Sequence, residues 1–294
     1  MEYRILGKTG LKISRMGFGG IPIQRTDAES TVKLMRWLSD RGVNYIDTAR
    51  GYTVSEEYLG QALEGIREKF VIATKSMART KEAMAADIDI SLKNLRTDYI
   101  DLYQIHYRDG RTPIGEVVET LEDLRREGKI RYFGLSNLSM KDFNELESYR
   151  GRFVSLQNQY SLACRDQEMQ TMELCCKLDL SPLTWGSLGQ GILTGKYDAS
   201  VSFASDDRRS RAIYTNFHGE KLLKNLGIVE AMRPIAASYG KPLSALAVRF
   251  ILDYLPHSVV LCGVKRPEQI RNNAESLGWH LRQKDIDLLD YISR

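Results

Sequence analysis

The chain has 294 residues, 43% of them hydrophobic and 27% charged, which is the composition of a globular protein and not of a disordered or fibrous one. Its 42 Lys and Arg against 38 Asp and Glu are dispersed, so the net charge of +4 leaves no footprint for nucleic acid and suits an anionic small molecule. No run approaches the ~20 apolar residues of a membrane span, residues 1–11 lack a signal-peptide core, and Cys164, Cys175, Cys176 and Cys262 form no C-x-x-C pair, which speaks against zinc or iron–sulfur ligation and for a reducing cytoplasm.

In chain order, strand-like runs at 3–6 and 11–14 flank Lys8-Thr9-Gly10 and read as a β-hairpin. Short apolar runs follow at 16–19, 43–47, 70–75, 99–106, 130–136, 153–157, 180–185 and 258–262. Amphipathic stretches separate them. Met84, Ile88, Leu92 and Leu95 recur at helical spacing in one, and Ile114, Val117, Val118, Leu121 and Leu124 in another. Eight alternating units predict a single α/β domain over 1–294, a parallel (β/α)8 TIM barrel whose bottom the hairpin plugs. The longest irregular stretch, 198–218, is polar and Ser-rich and holds Arg208, Arg209 and Arg211. A loop of that length is either a surface loop or a lid, and its polarity predicts that it does not pack without a ligand.

Sites in parallel barrels form at the C-terminal strand ends. The stretch "NYIDTARGY" stops at Asp47, and the next runs stop at Lys75 and His106. Later ones stop at Ser136 and Asn137, at Gln157, at Trp185 and near Gly263. The first four ends lie 28, 31 and 30 residues apart, the spacing of successive β-α units. Asp47, Lys75 and His106 therefore face one another across the mouth, with Tyr52 in the loop after Asp47. A tyrosine is a poor acid near neutrality, with a reference pKa of ~10. An adjacent Lys cation lowers that value, and a carboxylate holds the Lys charged and oriented. His106 then directs a carbonyl oxygen or shares the proton relay. Taken singly, Asp47 reads as a helix cap, Lys75 as an ion-pair partner and His106 as a structural histidine. As a set in this order they suit protonation of a carbonyl oxygen while hydride arrives at carbon.

Over essentially its whole length the chain resembles the aldo-keto reductase family. "NYIDTARGYTVSEEYLG" resembles that family's Asp-Thr-Ala-x-x-Tyr signature with its trailing Ser-Glu-x-x-Leu-Gly, and "FVIATK" and "DLYQIHY" resemble its Lys and His segments. The resemblance implies a barrel that reduces aldehydes and ketones, or oxidises alcohols, of small and even polyhydroxylated substrates. NADPH/NADP is the implied cofactor, with NADH also admitted. Neither nucleic acid nor a membrane is implied as a partner. Tyr52 becomes the general acid/base, Lys75 and Asp47 its tuning pair, and His106 the carbonyl-orienting group.

The same resemblance assigns cofactor contacts. "FGLSN" and "LQNQYS" place Ser136, Asn137 and Gln157 on the nicotinamide carboxamide, and Trp185 stacks on the ring. "WGSLGQGILTGKY" resembles the phosphate-cradling loop, through Gly186, Ser187, Leu188, Gly189, Gly191 and Lys196. "CGVKRPEQIRNN" resembles the segment gripping the adenosine phosphate, through Gly263, Lys265, Arg266, Gln269, Asn272 and Asn273. Gly19, Gly20 and Asp47 complete the set. The Gly-rich loop lacks the strand–GxGxxG–helix setting of a Rossmann unit, and the family binds nicotinamide without one. Lys265 and Arg266 predict a preference for NADPH, and the 198–218 loop is expected to order over bound cofactor.

The chain departs from the family pattern in three places. Thr53 follows Tyr52 where Gly is frequent, which predicts a narrower substrate-side loop. Cys262 stands where Pro is frequent, with little expected effect. Arg50 either points into the mouth, favouring an anionic or polyhydroxylated substrate, or is a solvated loop residue. The alternative function is a cofactor-sensing subunit resembling potassium-channel β subunits, in which docking matters more than turnover.

Overall fold

The computed structural model describes residues 1–255 and 257–294. Eight parallel strands close into a barrel: β3 (Met16–Gly19), β4 (Tyr45–Asp47), β5 (Val71–Ser76), β6 (Ile100–Ile105), β7 (Ile130–Ser136), β8 (Ser155–Gln159), β9 (Ser181–Trp185) and β10 (Val259–Gly263). β10 closes onto both β9 and β3. This is the expected TIM barrel, with strand limits within two residues of expectation. Two differences matter for the site. β6 stops at Ile105, so His106 opens the following loop, and β8 runs on to Gln159, which pairs with Trp185.

Helices α1 (Ala28–Asp40), α2 (Ser55–Ala62), α3 (Lys81–Leu95), α4 (Ile114–Arg126), α5 (Phe143–Glu147) and α6 (Glu168–Leu178) each return the chain to the next strand. α7 (Gly219–Ser238) and α8 (Leu243–Tyr254) together precede β10, and α9 (Pro267–Ala274) and α10 (Gln283–Ser293) follow it. The two predicted helices are α3 and α4, and their periodic residues Met84, Ile88, Leu95, Ile114, Val117, Val118, Leu121 and Leu124 are buried. Thr80 starts α3 by accepting from the Ala83 N–H, and Arg96 ends it in the left-handed region at φ 51°.

The period-2 alternation of strands sorts the core into two layers. Ile46, Ile72, Tyr103, Phe133 and Leu156 face the helices. Tyr45, Val71, Ala73, Leu102, Leu183 and Leu261 face the barrel axis. The hairpin, β1 (Tyr3–Ile5) and β2 (Lys12–Ser14), is antiparallel, and Leu6 and Ile13 close the same axial cluster, both fully buried. The Gly7 N–H donates to Ser181 Oγ at 2.8 Å, pinning the plug to the start of β9. Truncating Leu6 to Ala would cost about 2–5 kcal/mol, as other buried leucines do. Among the described residues no helix is long and apolar enough to cross a membrane.

Candidate active site

The axial parity also decides which polar groups meet. Counting by two from the buried axial residues reaches Asp47 from Tyr45, Lys75 from Ala73 and Gln104 from Leu102, and then His106 just beyond β6. Four groups therefore converge above one apolar floor. Asp47 Oδ2 accepts from Lys75 Nζ at 2.6 Å, and its Oδ1 accepts from Gln157 Nε2 at 2.6 Å and Gln104 Nε2 at 3.1 Å. Lys75, 1% exposed, also donates to the Thr48 carbonyl at 2.9 Å. Burial pulls the Lys75 pKa down, but Asp47 and Tyr52 outweigh it and the pKa ends above its usual value. Gln104 escaped the sequence reading. Its signal was present, because it lies one strand period before His106 and opposite Lys75 in the β5–β6 register.

Tyr52 sits in the turn between β4 and α2. Its N–H donates to Ala49 O, and its carbonyl accepts from the Ser55 N–H at 2.8 Å. Lys75 Nζ lies 5.2 Å from the ring centroid. Lys75 lowers the Tyr52 pKa as expected, but the net shift runs the other way. Burial, aided by Asp47, raises the Tyr52 pKa above its usual value, and Lys75 opposes this without overcoming it. Tyr52 is thus a protonated phenol at neutral pH. His106 meets it edge-on, with centroids 6.0 Å apart, and stacks on Tyr107 at 4.9 Å. Burial, then the charges of Lys75 and Arg79, push His106 down to about 4, so its imidazole is neutral near pH 7. A neutral imidazole has one donor and one acceptor nitrogen to offer a ligand.

Thr53 occupies a left-handed turn at φ 38° and donates to Gln24 Oε1 at 3.2 Å, tying this turn to the segment after β3. Arg50 does not aim a free guanidinium into the mouth. Its Nε lies 3.8 Å from Asp87 Oδ1 on α3, and the same carboxylate accepts from Ser76 Oγ.

The proposed cofactor residues form a second arc. Trp185 Nε1 donates to Asn137 Oδ1 at 3.1 Å. Asn137, left-handed at φ 58°, donates to the His106 carbonyl at 2.9 Å and to Ser136 Oγ at 3.0 Å. Ser136 Oγ donates to the Gln157 carbonyl at 2.9 Å. Gln157 directs its Nε2 to Asp47 Oδ1 at 2.6 Å and Gln104 Oε1 at 3.3 Å. After Trp185 the backbone is left-handed at Gly186, Gly189, Gln190 and Gly191. A Cβ on Gly191 would meet nothing closer than 3.7 Å, so the turn leaves an open cradle. Ser187, Leu188 and Lys196 belong to this turn. Gly20 serves packing: its N–H donates to the Asp47 carbonyl at 2.7 Å, and a Cβ there would lie 3.0 Å from that oxygen. Gly19 and Gly263 are paired in the β3–β10 register.

On α9, Gln269 Oε1 accepts from the Lys265 N–H at 2.8 Å, and the buried Asn273 Nδ2 has no acceptor. Arg266 and Asn272 are exposed. Burial lowers the Lys265 pKa, and the charges of Arg25, Arg209 and Lys196 lower it further, against Asp207 alone. An orphaned amide, an open glycine turn and an excess of cations over Asp207 fit the phosphates of a dinucleotide.

The 198–218 loop departs from expectation. Its polar composition conceals an aromatic core, in which Tyr197, Phe203 and Phe217 meet edge to face at 5.8, 5.3 and 4.9 Å. Arg209 lies 4.2 Å over Phe203 and pairs with Asp207. Asp207 also accepts from Arg25 at 3.2 Å, so the loop already spans the cleft. Spacings of six and fourteen residues between Tyr197, Phe203 and Phe217 give no periodic signal. Among the described residues no cluster of His, Cys, Asp and Glu could hold a metal.

The family model described as "Aldo/keto reductase family" matches residues 15–294. The chain is 33% identical to "Aldo-keto reductase YhdN" of Bacillus subtilis (strain 168), over 98% of this chain and 93% of that one. It is 30% identical to the "NADH-specific methylglyoxal reductase" of Escherichia coli (strain K12), over 97% and 96%. Among solved structures, the glycerol dehydrogenase AKR11B4 from Gluconobacter oxydans superposes with a TM-score of 0.89 at 29% identity, over 99% of this chain and 94% of that one.

Proposed function

The chain belongs to the aldo/keto reductase family, and from that premise we propose that it reduces the carbonyl of a small aldehyde or ketone, with Tyr52 as proton donor. Bound nicotinamide supplies the hydride. Tyr52 gives its hydroxyl proton to the carbonyl oxygen, and the phenolate left behind faces Lys75 until water returns the proton. Asp47, with Gln104 and Gln157 on its other oxygen, holds Lys75 in place. Neutral His106 offers a ring N–H that orients the carbonyl. In the reverse direction the phenolate accepts the alcohol proton. The reading is carried by one observation: a protonated, buried phenol beside a charged lysine and a neutral histidine.

NADPH is the preferred cofactor in this reading, with NADH also accepted. Lys265 and Arg266 meet the added phosphate, Asn273 Nδ2 the adenine, and Gln157 Oε1 the carboxamide. Support comes from the excess of cations around Lys265. The E. coli relative carries a name specifying NADH, so this preference rests on the present chain's own residues. The relatives at 33% and 30% identity are named as reductases, and two at 29% and 28% as probable voltage-gated potassium channel β subunits, so the reductase reading comes first and turnover is what separates it from the docking-subunit alternative. Oxidation of NADPH and NADH, followed by absorbance against a panel of aldehydes and keto sugars, tests the proposal. No oxidation above the carbonyl-free rate for any member would overturn it.

A further inference from the structure

Beside the reacting groups lies a cation for which the reaction just described has no use. Arg79 stands in the loop between β5 and α3 and is half-buried. Its Nη1 donates to the carbonyls of Ala78 at 2.8 Å and Ser76 at 3.5 Å. The Ser76 carbonyl also accepts the backbone N–H of His106 at 3.0 Å, so the guanidinium and the main chain of His106 meet on one oxygen. Among the described residues Arg79 Nε is buried without an acceptor, and the hydrogen bonds of the guanidinium are made by Nη1. The carboxylate whose charge reaches it, Asp109, is occupied by the N–H groups of Arg111 and Thr112 and by the Thr112 hydroxyl.

Asp109 thus acts on Arg79 only through space and forms no ion pair with it, and a half-buried guanidinium without a direct ion pair gains from an anion that binds to it. A purely structural strap across two carbonyls does not require one. Three further features point outward from Arg79. It lines a cavity of about 520 Å³ with Thr80, Arg111 and Thr112 on the near side. That cavity also carries Glu82, Glu116, Glu119 and Asp123 against Lys81 and Arg111, and none of Tyr52, Lys75 and His106 lines it, so an anion held near the carbonyl lies on the His106 side of Arg79. From the opposite rim, Arg208 makes no ion pair among the described residues; its charge reaches Tyr52, and its guanidinium lies 5.6 Å from the Tyr214 ring.

The geometry points to a substrate that carries a carboxylate or phosphate within a few bonds of its carbonyl, bound by Arg79 with Arg208 closing from the loop. Arg suits this role because its planar fork matches the oxygens of either anion. The inference rests on the reductase reading and adds the substrate's charge to it.

Two matched pairs test it: butanal against 4-oxobutanoate, and glyceraldehyde against glyceraldehyde 3-phosphate. The two arms separate carboxylate from phosphate. In at least one pair the anionic member should exceed the neutral one in kcat/KM by about tenfold or more. Arg79→Ala should collapse that ratio toward one, mainly through the KM of the anionic member, and Arg79→Lys should restore part of it. A strap that only shapes the loop would lower both members together, so an unchanged ratio in Arg79→Ala overturns the inference, as does the absence of an anionic preference in the parent. If no compound turns over, the reductase reading fails and calorimetric binding of the two anions decides the rest. Binding that Arg79→Ala abolishes keeps the anion site, whereas no binding, or binding indifferent to Arg79, removes it.

Discussion

The floor of the barrel mouth and its rim treat charge in opposite ways. On the floor, Lys75 and Asp47 are almost wholly enclosed, and each finds partners within the protein. On the rim, Arg25 and Arg209 share Asp207, while Lys196 and Lys265 have no acid partner among the described residues. The floor is therefore organised before anything binds, which is what a group that must protonate a transition state requires. The rim holds excess positive charge that only a ligand neutralises. Changes to the floor should accordingly alter the rate, and changes to the rim the affinity.

The sharpest way to break this division is to remove one atom from the floor. Tyr52→Phe keeps the ring and deletes the hydroxyl, and should lower kcat by about 10²–10⁴-fold, as loss of a positioned general acid does. Dissociation constants for cofactor should stay within about twofold, since each tenfold step corresponds to 1.4 kcal/mol and no such contact is lost. Near-normal turnover would dissolve the distinction between floor and rim.

Lys75→Met probes the electrostatics of the floor. Lys75 opposes the raised Tyr52 pKa more than Arg208 does, so without it the alkaline rise of alcohol oxidation should move to still higher pH. The variant also leaves Asp47 buried without its cation, and breaking such a pair costs about 3–5 kcal/mol. The unfolding midpoint in urea should fall with it. An unmoved pH profile in a folded, active variant would assign the phenol's tuning to another group.

On the rim, Lys265→Ala with Arg266→Ala should erase a preference for NADPH of about tenfold or more in dissociation constant, since a charge-assisted contact contributes about 1.5–3 kcal/mol. NADH affinity should move far less. Quenching of tryptophan fluorescence reads both constants. Equal affinities in the parent would show that the cations of the rim serve something other than the added phosphate.

The floor was legible in the sequence and the rim only partly. Asp47, Lys75 and His106 could be placed because strand ends recur at a regular spacing and strand parity is rigid. Gln104 obeys the same parity and was passed over because a glutamine inside an apolar run carries no charge to draw notice. The raised Tyr52 pKa was hidden for another reason. The sequence names the neighbouring charges but not the depth of burial, and burial is the larger influence here. The loop at 198–218 was misjudged by its composition, since Tyr197, Phe203 and Phe217 pack on each other and on Arg209 without any regular spacing. Limited proteolysis should therefore cut it slowly even without cofactor.

The smallest expected effect joins floor and rim, because His106 is neutral owing to burial and to the cations Lys75 and Arg79 on either side. Its folded pKa of about 4 lies below the ordinary 6.5. Between those values the unfolded chain binds more protons than the folded one, so this contribution to stability is complete above about pH 6.5 and is lost as pH falls toward 4. The carboxylates held low, Asp109 and Asp207, release their contributions only at more acid pH. The window above about pH 5 therefore belongs mostly to His106. The thermal midpoint should fall modestly from about pH 7 to about pH 5 in the parent, and less in His106→Gln. His106 is partly exposed, so solvent reduces the effect. Arg79→Ala removes one of the two cations, so its slope should lie between those of the parent and His106→Gln. A slope in Arg79→Ala equal to the parent's would mean that Arg79 is too well solvated to act on the imidazole, and would separate the rim from the floor more completely than the geometry does.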